Sequence, residues 1–151
     1  MNAFEKYLQR KKNIMVWLPK MLETRFQTVR EYGHLMENHI NKSNEFLMHR
    51  AYKEKVDAST FIGDPEMIVE RLHQILVDNV DEISEYLADG EYDEDYYVLE
   101  GEIGQLKGLV FMRDPNKHDW NDGPIAASNI HIVLQKKRLE NDFIIKTAYV
   151  F

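Results

Sequence analysis

Apolar and polar residues alternate near the end of the chain in a pattern that predicts a β-hairpin. Residues 128–137 alternate between the two kinds, and residues 142–151 form a second run rich in β-branched and aromatic side chains. The four residues between the runs, 138–141, suit a hairpin loop. Because the second run is apolar on nearly both faces, we expect it in the centre of a sheet. A period of two places four of its side chains on one face: Phe143, Ile145, Thr147 and Tyr149.

Apolar residues spaced three and four apart predict helices in the first part of the chain. Residues 3–18 carry enough apolar side chains for one helix, and Pro19 is expected to end it. The three- and four-residue steps then continue along residues 20–41, which predicts a long helix with Gly33 at a close crossing. Residues 44–56 predict a further short helix.

Another helical region is predicted after a break at residues 57–63. Asp64 can cap the first free amides of a helix, and Pro65 already has the backbone angle of a first helical turn. The apolar stripe continues to about Leu87, and Gly90 suits the left-handed residue that ends many helices.

Two more strands are predicted between the helices and the terminal hairpin. They cover residues 96–103 and 108–113, and residues 114–127 form a loop with Asp-Pro and Asp-Gly turn signals. Helices followed by strands indicate an α+β domain. We predict N-terminal helices packed on one face of a C-terminal antiparallel sheet of about four strands. The single domain spans 1–151, with a helical part over about 1–88 and a sheet part over about 95–151.

The absence of cysteine removes several classes of function. The chain has 151 residues and no Cys, so disulfides, thiolate metal sites and a Cys nucleophile are excluded. The first residues lack the apolar run of a signal peptide, and no stretch approaches the ~18 consecutive apolar residues of a membrane span. We therefore expect a cytoplasmic protein, or one delivered by something that this chain does not encode, and no membrane partner.

The net charge of −7 is unevenly distributed along the chain. Residues 1–56 contain eleven Lys or Arg against six Glu, whereas residues 78–102 contain eleven Asp or Glu and no Lys or Arg. A polyanion would be repelled by this acidic segment and could meet the basic first part or residues 136–138. The acidic segment is either a solvated face that keeps the protein soluble or a surface for a basic protein partner.

Signatures of metal and cofactor sites are weak or absent. His34 and His39 are five residues apart, whereas two ligands on one helical face are four apart. The acidic run from Asp89 to Glu100 has the length of a calcium loop, but Glu94 occupies the position that requires Gly. No Gly-rich phosphate loop, serine-nucleophile elbow or dinucleotide fingerprint occurs. We expect neither a metal nor a cofactor.

Three side chains of the predicted hairpin could carry acid–base chemistry. His131 lies opposite the apolar face of its strand, and Thr147 and Tyr149 would lie near it across the hairpin. Such a set can move protons and hold a phosphate, as cleavage of RNA through its own 2′-hydroxyl requires. The alternative is that all three are ordinary strand residues.

The order of elements and the final-strand sequence 146–149, Lys-Thr-Ala-Tyr, resemble the barnase–EndoU–colicin–RelE superfamily of ribonucleases. The similarity is greatest to its phage- and toxin-associated branch, whose domains often finish on a Thr-x-Tyr strand and carry a His at the end of an early helix. In this chain that residue would be His34, with His39 less favoured. A second helix leading into residues 74–83 fits the same pattern.

This resemblance implies a metal-independent endoribonuclease with RNA as substrate, acting as a toxin or in phage–host conflict. His34 or His131 would be the general base or acid, and Thr147 and Tyr149 would bind or protonate the phosphate. The residues implied to bind substrate by offsetting its charge are Arg113 and Lys146.

A non-enzymatic binding protein is the alternative function. An immunity protein, antitoxin or inhibitor could present the acidic segment 78–102 to a basic partner. Charge complementarity of this kind speeds association and sets specificity.

Overall fold

The computed structural model describes residues 1–89, 96–137 and 142–151. Within these ranges the helices and strands follow one another along the chain in this order: α1 Ala3–Leu22, a 3-10 turn Val29–Tyr32, α2 Leu35–His39, α3 Asn44–Glu54, β1 Ala58–Ile62, α4 Pro65–Asp78, α5 Val80–Ala88, β2 Tyr96–Glu102, β3 Lys107–Phe111, a 3-10 turn Trp120–Asp122, β4 Ile125–Ala126, β5 Asn129–Lys137 and β6 Asp142–Val150.

The described strands form two antiparallel three-stranded sheets. One sheet has the order β1–β3–β4 and the other has the order β2–β5–β6. The predicted α+β class is therefore confirmed, although its strands form two sheets where one of about four strands was predicted. The prediction that the last strand is central is wrong. β5 lies between β2 and β6, so β6 has a hydrogen-bonded neighbour on one side.

Helix α1 continues through Pro19, so the prediction that this proline ends the helix is wrong. The ring of Pro19 is exposed to solvent, where the loss of one backbone hydrogen bond is tolerated. Asn2 caps the helix by accepting a hydrogen bond from the amide of Glu5 at 2.8 Å. The buried stripe of α1 consists of Ile14, Leu18 and Leu22.

The long helix predicted over residues 20–41 is not formed. The chain turns at Phe26, which has a positive φ of 63°. The Glu31 carboxylate accepts hydrogen bonds from the amides of Phe26 and Gln27, and the buried Tyr32 hydroxyl donates to the Phe26 carbonyl at 2.7 Å. These side-chain bonds satisfy backbone groups that a continuous helix would have paired, and they stabilise the turn instead.

Residues 57–63, predicted as a break, contain the strand β1. Ser59 and Thr60 are buried although they are polar, and Thr60 bonds to backbone groups of the chain that precedes β1. The helix predicted from Asp64 to about Leu87 begins as expected, because Asp64 caps the amide of Glu66. It is divided into α4 and α5 at Asn79, whose side chain donates to the Ile75 carbonyl.

A β-bulge in β6 changes which way the last side chains point. Val133 pairs with Thr147, whereas Leu134 pairs with Ile145, so Lys146 is an extra residue without an opposite partner in β5. Phe143 and Ile145 are buried in the core, as predicted, but the side chains after the bulge point the other way. The prediction of a single face is therefore wrong: Ala148 and Val150 fill the core, and Thr147 and Tyr149 point out of it.

Several sequence-based predictions concern residues outside the described ranges. These are the hairpin loop at 138–141, Gly90 as the end of a helix and half of the calcium-like run, residues 90–95. In the described part of the chain, no helix is long and apolar enough to cross a membrane.

Candidate active site

A cavity of about 640 Å³ lies where the two sheets meet α2 and α3. Its apolar lining comes largely from the ends of β3 and β6. The polar side chains that line it are His39, Arg50, Asp57, Ser59, His131, Thr147 and Tyr149. Residues from the first third of the chain are thereby brought against the last two strands.

Three buried polar atoms of this cavity have no hydrogen-bond partner among the described residues. They are the Nδ1 of His39, the Nη1 of Arg50 and the Oγ1 of Thr147. Buried polar atoms are nearly always paired, and an unpaired one requires an explanation such as a ligand or a catalytic role. Three that line one cavity indicate a site built to hold a polar ligand.

His39 is more deeply buried than His131, the other histidine of the cavity. It is the last residue of α2 and is only 8% exposed. Burial, together with a smaller effect of the Arg50 cation, lowers the pKa of His39 from 6.5 to about 4. The imidazole is therefore neutral near pH 7, and its unpaired Nδ1 can accept a proton.

Arg50 supplies a fixed positive charge to the same cavity. Its Nε donates to the Glu54 carboxylate at 2.8 Å along α3, which holds one edge of the guanidinium. The Nη1 remains unpaired and buried. A guanidinium held in this way can donate to a phosphate without first breaking an ion pair.

His131 and Tyr149 face each other across the β5–β6 pair. The Nδ1 of His131 lies 3.2 Å from the Tyr149 hydroxyl, and the two rings are perpendicular with centroids 5.3 Å apart. The Phe151 ring covers the imidazole at 3.8 Å. Burial lowers the pKa of His131, with Glu100 acting in the opposite direction, and burial raises the pKa of Tyr149. Tyr149 therefore keeps its proton near pH 7.

The structure brings together three of the four residues predicted to be catalytic: His131, Thr147 and Tyr149. His34 does not line the cavity. Its side chain is 66% exposed, and its Nδ1 lies 3.3 Å from the Glu37 carboxylate at the start of α2. A catalytic role for His34 stays a prediction, and the less favoured His39 occupies the cavity.

The two residues predicted to bind substrate lie outside the cavity that contains His39. Arg113 lines a second cavity of about 420 Å³ that shares Asp57 and Met112 with the first. Lys146 is the bulge residue, and its Nζ lies 2.9 Å from the Tyr96 hydroxyl and 4.2 Å from the centroid of that ring. Substrate binding by both residues stays a prediction.

Sequence reasoning missed three polar lining residues, Asp57, Ser59 and Arg50, of which Arg50 is the cation. It lies on α3 beside the buried Leu47 and Ala51, so the helix turns this cation towards the core. An arginine next to an apolar stripe is a weak signal, because such side chains often extend to solvent. Among the described residues, no group of three or more His, Asp or Glu side chains is placed to hold a metal ion.

Comparisons with known proteins identify the family of this chain. The model of the bacterial CdiA-CT RNase A domain, a family of toxin ribonucleases, matches residues 33–149. A solved structure, the CdiA-CT/CdiI complex from Y. kristensenii 33638, has the same fold with a TM-score of 0.63 and 20% sequence identity. The alignment covers 79% of this chain and 99% of that one. No curated protein matches the sequence significantly.

The family match covers the cavity from His39 to Tyr149 and leaves out the N-terminal helix α1. It confirms the ribonuclease toxin predicted from the resemblance to the barnase–EndoU–colicin–RelE superfamily. The non-enzymatic alternative is not favoured. The chain belongs to the bacterial CdiA-CT RNase A domain family.

Proposed function

We propose that this toxin cleaves RNA without a metal ion, by attack of a 2′-hydroxyl on the adjacent phosphate. The observation that supports this most directly is the set of unpaired buried atoms of His39, Arg50 and Thr147 around one cavity. This reaction needs a base, an acid and donors to the phosphate, and side chains of the cavity can supply all of them.

His39 is the general base of this proposal. Its lowered pKa keeps it neutral, and its Nδ1 is free to take the proton from the 2′-hydroxyl as the oxygen attacks phosphorus. Burial explains how this proton acceptor stays unprotonated in acidic solution, where an ordinary histidine would be charged.

Arg50 and Thr147 stabilise the phosphate as charge builds on its non-bridging oxygens. The Nη1 of Arg50 and the hydroxyl of Thr147 are donors that have no competing partner in the described part of the chain. Donors that are already in place need no reorganisation when the charge develops, which makes them effective in a site with little water.

Tyr149 is the general acid of this proposal, and His131 orients its hydroxyl group. If the His131 Nδ1–H donates to the Tyr149 oxygen, the phenol proton is free to point into the cavity. The phenol then gives this proton to the 5′-oxygen as its bond to phosphorus breaks, and the products are a 2′,3′-cyclic phosphate and a 5′-hydroxyl. The raised pKa of Tyr149 keeps the proton available until that step.

The protein partner that we propose is an immunity protein, because the solved relative is a CdiA-CT/CdiI complex. The acidic segment 78–102 is our candidate surface for it, although part of this charge is used internally. Lys11 pairs with Asp81 and Glu85 at 3.0 Å, and Tyr97 donates to Glu82. We place the action of the toxin in the cytoplasm, where RNA is found.

The proposed chemistry is tested by incubating the purified protein with total cellular RNA and a chelator of divalent ions. Cleavage should persist, and the fragments should carry cyclic phosphate or 3′-phosphate ends. Thr147→Ala should lower the rate by about 10²-fold, as loss of one transition-state donor does. Cleavage that stops with the chelator and returns with a divalent ion would contradict the proposal.

A further inference from the structure

We propose that the second cavity binds a phosphate of the RNA strand next to the one that is cleaved, through Arg113 and Lys117. This inference rests on the proposed function, since it extends the path of the same substrate. The second cavity is lined by Asp57, Met112, Arg113, Asp114, Pro115 and Lys117.

The two cavities are neighbours with a common wall. Asp57, which follows α3, and Met112, which follows β3, line both of them. When a nucleotide is held in the catalytic cavity, we therefore expect the RNA chain on one side of it to lie at the entrance of the second cavity. An RNA chain that leaves the catalytic cavity on this side passes Arg113 and Lys117.

The second cavity is lined by two carboxylates and two cations, and they differ in their hydrogen bonding. The side-chain cations of Arg113 and Lys117 make no ion pair or hydrogen bond within the described ranges. Asp57 accepts the Arg113 amide at 2.8 Å, and Asp114 accepts the amide of Asn116 at 2.9 Å. The carboxylates thus bond to backbone amides, and both cations remain available.

The loop that carries these cations is anchored before any ligand arrives. The amide of Met112 donates to the Nδ1 of the buried His118 at 3.1 Å, and the Nε2 of this histidine donates to the carbonyl of Gly123. The His118 ring packs against Phe111 with centroids 5.1 Å apart. A loop fixed in this way loses little further conformational freedom when it binds, so its contacts contribute more fully to affinity.

The local position of cations matters for RNA binding in a protein with a net charge of −7. Such a protein repels RNA at long range, so its binding must come from local positive groups beside the site. Arg113 offers a planar set of donors suited to phosphate, and Lys117 adds a second positive charge. Together they can hold one phosphate on the path away from the catalytic cavity.

Minimal substrates provide the test. Mixed-base dinucleotides with one scissile phosphate are compared with the same dinucleotides bearing an extra phosphate at the 5′ or the 3′ end. In the parent, one of the two extra phosphates should raise kcat/KM by about tenfold, mostly through KM, as expected for a charge-assisted contact. Arg113→Ala/Lys117→Ala should still cleave the plain dinucleotide measurably but lose this gain. Arg113→Lys/Lys117→Arg should recover part of it.

The matched control is Lys20→Ala/Lys107→Ala. It removes the same formal charge from exposed positions that line neither cavity, and it should keep the full gain. On longer RNA, the dependence of log kcat/KM on log salt concentration should become shallower by about 0.7 in the Arg113/Lys117 variant, as for one lost phosphate contact on a single strand.

The outcomes separate this inference from the proposed function. If the parent cleaves dinucleotides but gains nothing from either extra phosphate, the second cavity does not bind RNA and the inference is overturned. The inference is also overturned if the Arg113/Lys117 variant keeps the gain in kcat/KM from the extra phosphate, or if the Lys20/Lys107 control loses that gain equally. If the parent cleaves no RNA at all, the proposed function itself fails.

Discussion

Gly33 packs directly against the backbone of Lys146. A Cβ atom placed on Gly33 would stand 1.7 Å from the Lys146 carbonyl oxygen and 2.6 Å from its carbon. Gly33 also has φ 61° and ψ −123°, a conformation that other residues adopt only with strain. Because Lys146 is the bulge residue of β6, this contact fixes the point at which Thr147 and Tyr149 turn towards the cavity.

Gly33→Ala should therefore damage both stability and catalysis. Backbone strain alone costs about 1–3 kcal/mol, and the clash with Lys146 adds to it or displaces the bulge. Thermal unfolding and RNA cleavage at a temperature where the variant is folded are the measurements. Gly123→Ala is the control, because Gly123 has φ 72° but no atom within 4 Å of an added Cβ. Equal losses of stability in both variants would show that the contact is unimportant.

His39→Ala should lower RNA cleavage by about 10²–10⁴-fold, the usual contribution of a general base. His34→Ala should change it little, because the His34 side chain lies in solvent beside Glu37. The resemblance of the sequence to known nucleases favours the opposite order, so the two variants decide between the assignments. Circular dichroism of both variants shows whether the fold is kept.

Cleavage should persist in acidic solution because of the lowered pKa of His39. The general base works only while it is neutral, so the acid limb of kcat/KM should fall near pH 4 and not near the ordinary value of 6.5. An acid limb at pH 6.5 would show that another group is the base.

The same pKa shift predicts how stability changes with pH. Between pH 6.5 and about 4 the unfolded chain binds a proton at His39 that the folded chain does not, so acidification favours unfolding. The free energy of unfolding of the parent, measured with denaturant, should decrease as the pH falls over this range. In His39→Gln, which has no titrating ring, the loss should be smaller. Identical profiles for the two proteins would argue that His39 titrates normally.

Tyr149→Phe tests the acid while keeping the aromatic packing on His131. Loss of the phenol proton should lower cleavage by about 10²-fold or more, with little change in thermal stability. Val133→Ala, which changes the residue opposite Thr147 on the same pair of strands, should affect stability more than cleavage. A Phe variant with full activity would transfer the role of acid to His131 itself.

Local patterns in the sequence predict individual helices and strands better than the turns and buried polar segments between them. The alternation of β5 and the cap at Asp64 both appear as expected, because each depends on a few neighbouring residues. The helix predicted over 20–41 fails because Glu31 and Tyr32 form hydrogen bonds that a hydrophobic period does not register. Strand β1 was missed because its central residues are polar yet buried.

The candidate site could be predicted only in part for the same reason. His131, Thr147 and Tyr149 lie on adjacent strands, so the hairpin itself brings them close. His39 and Arg50 reach them only through packing between distant parts of the chain, and no spacing in the sequence encodes that proximity. The bulge at Lys146, which turns Thr147 and Tyr149 towards the cavity, likewise has no signature in the alternation of apolar residues.

This division of the site between α2–α3 and β6 makes its assembly depend on the tertiary fold. The proposed base and guanidinium precede β1 in the sequence, and the proposed acid lies on β6. A chain in which β6 has not yet paired with β5 has no assembled centre, so we expect the proposed cleavage to appear only in the folded domain.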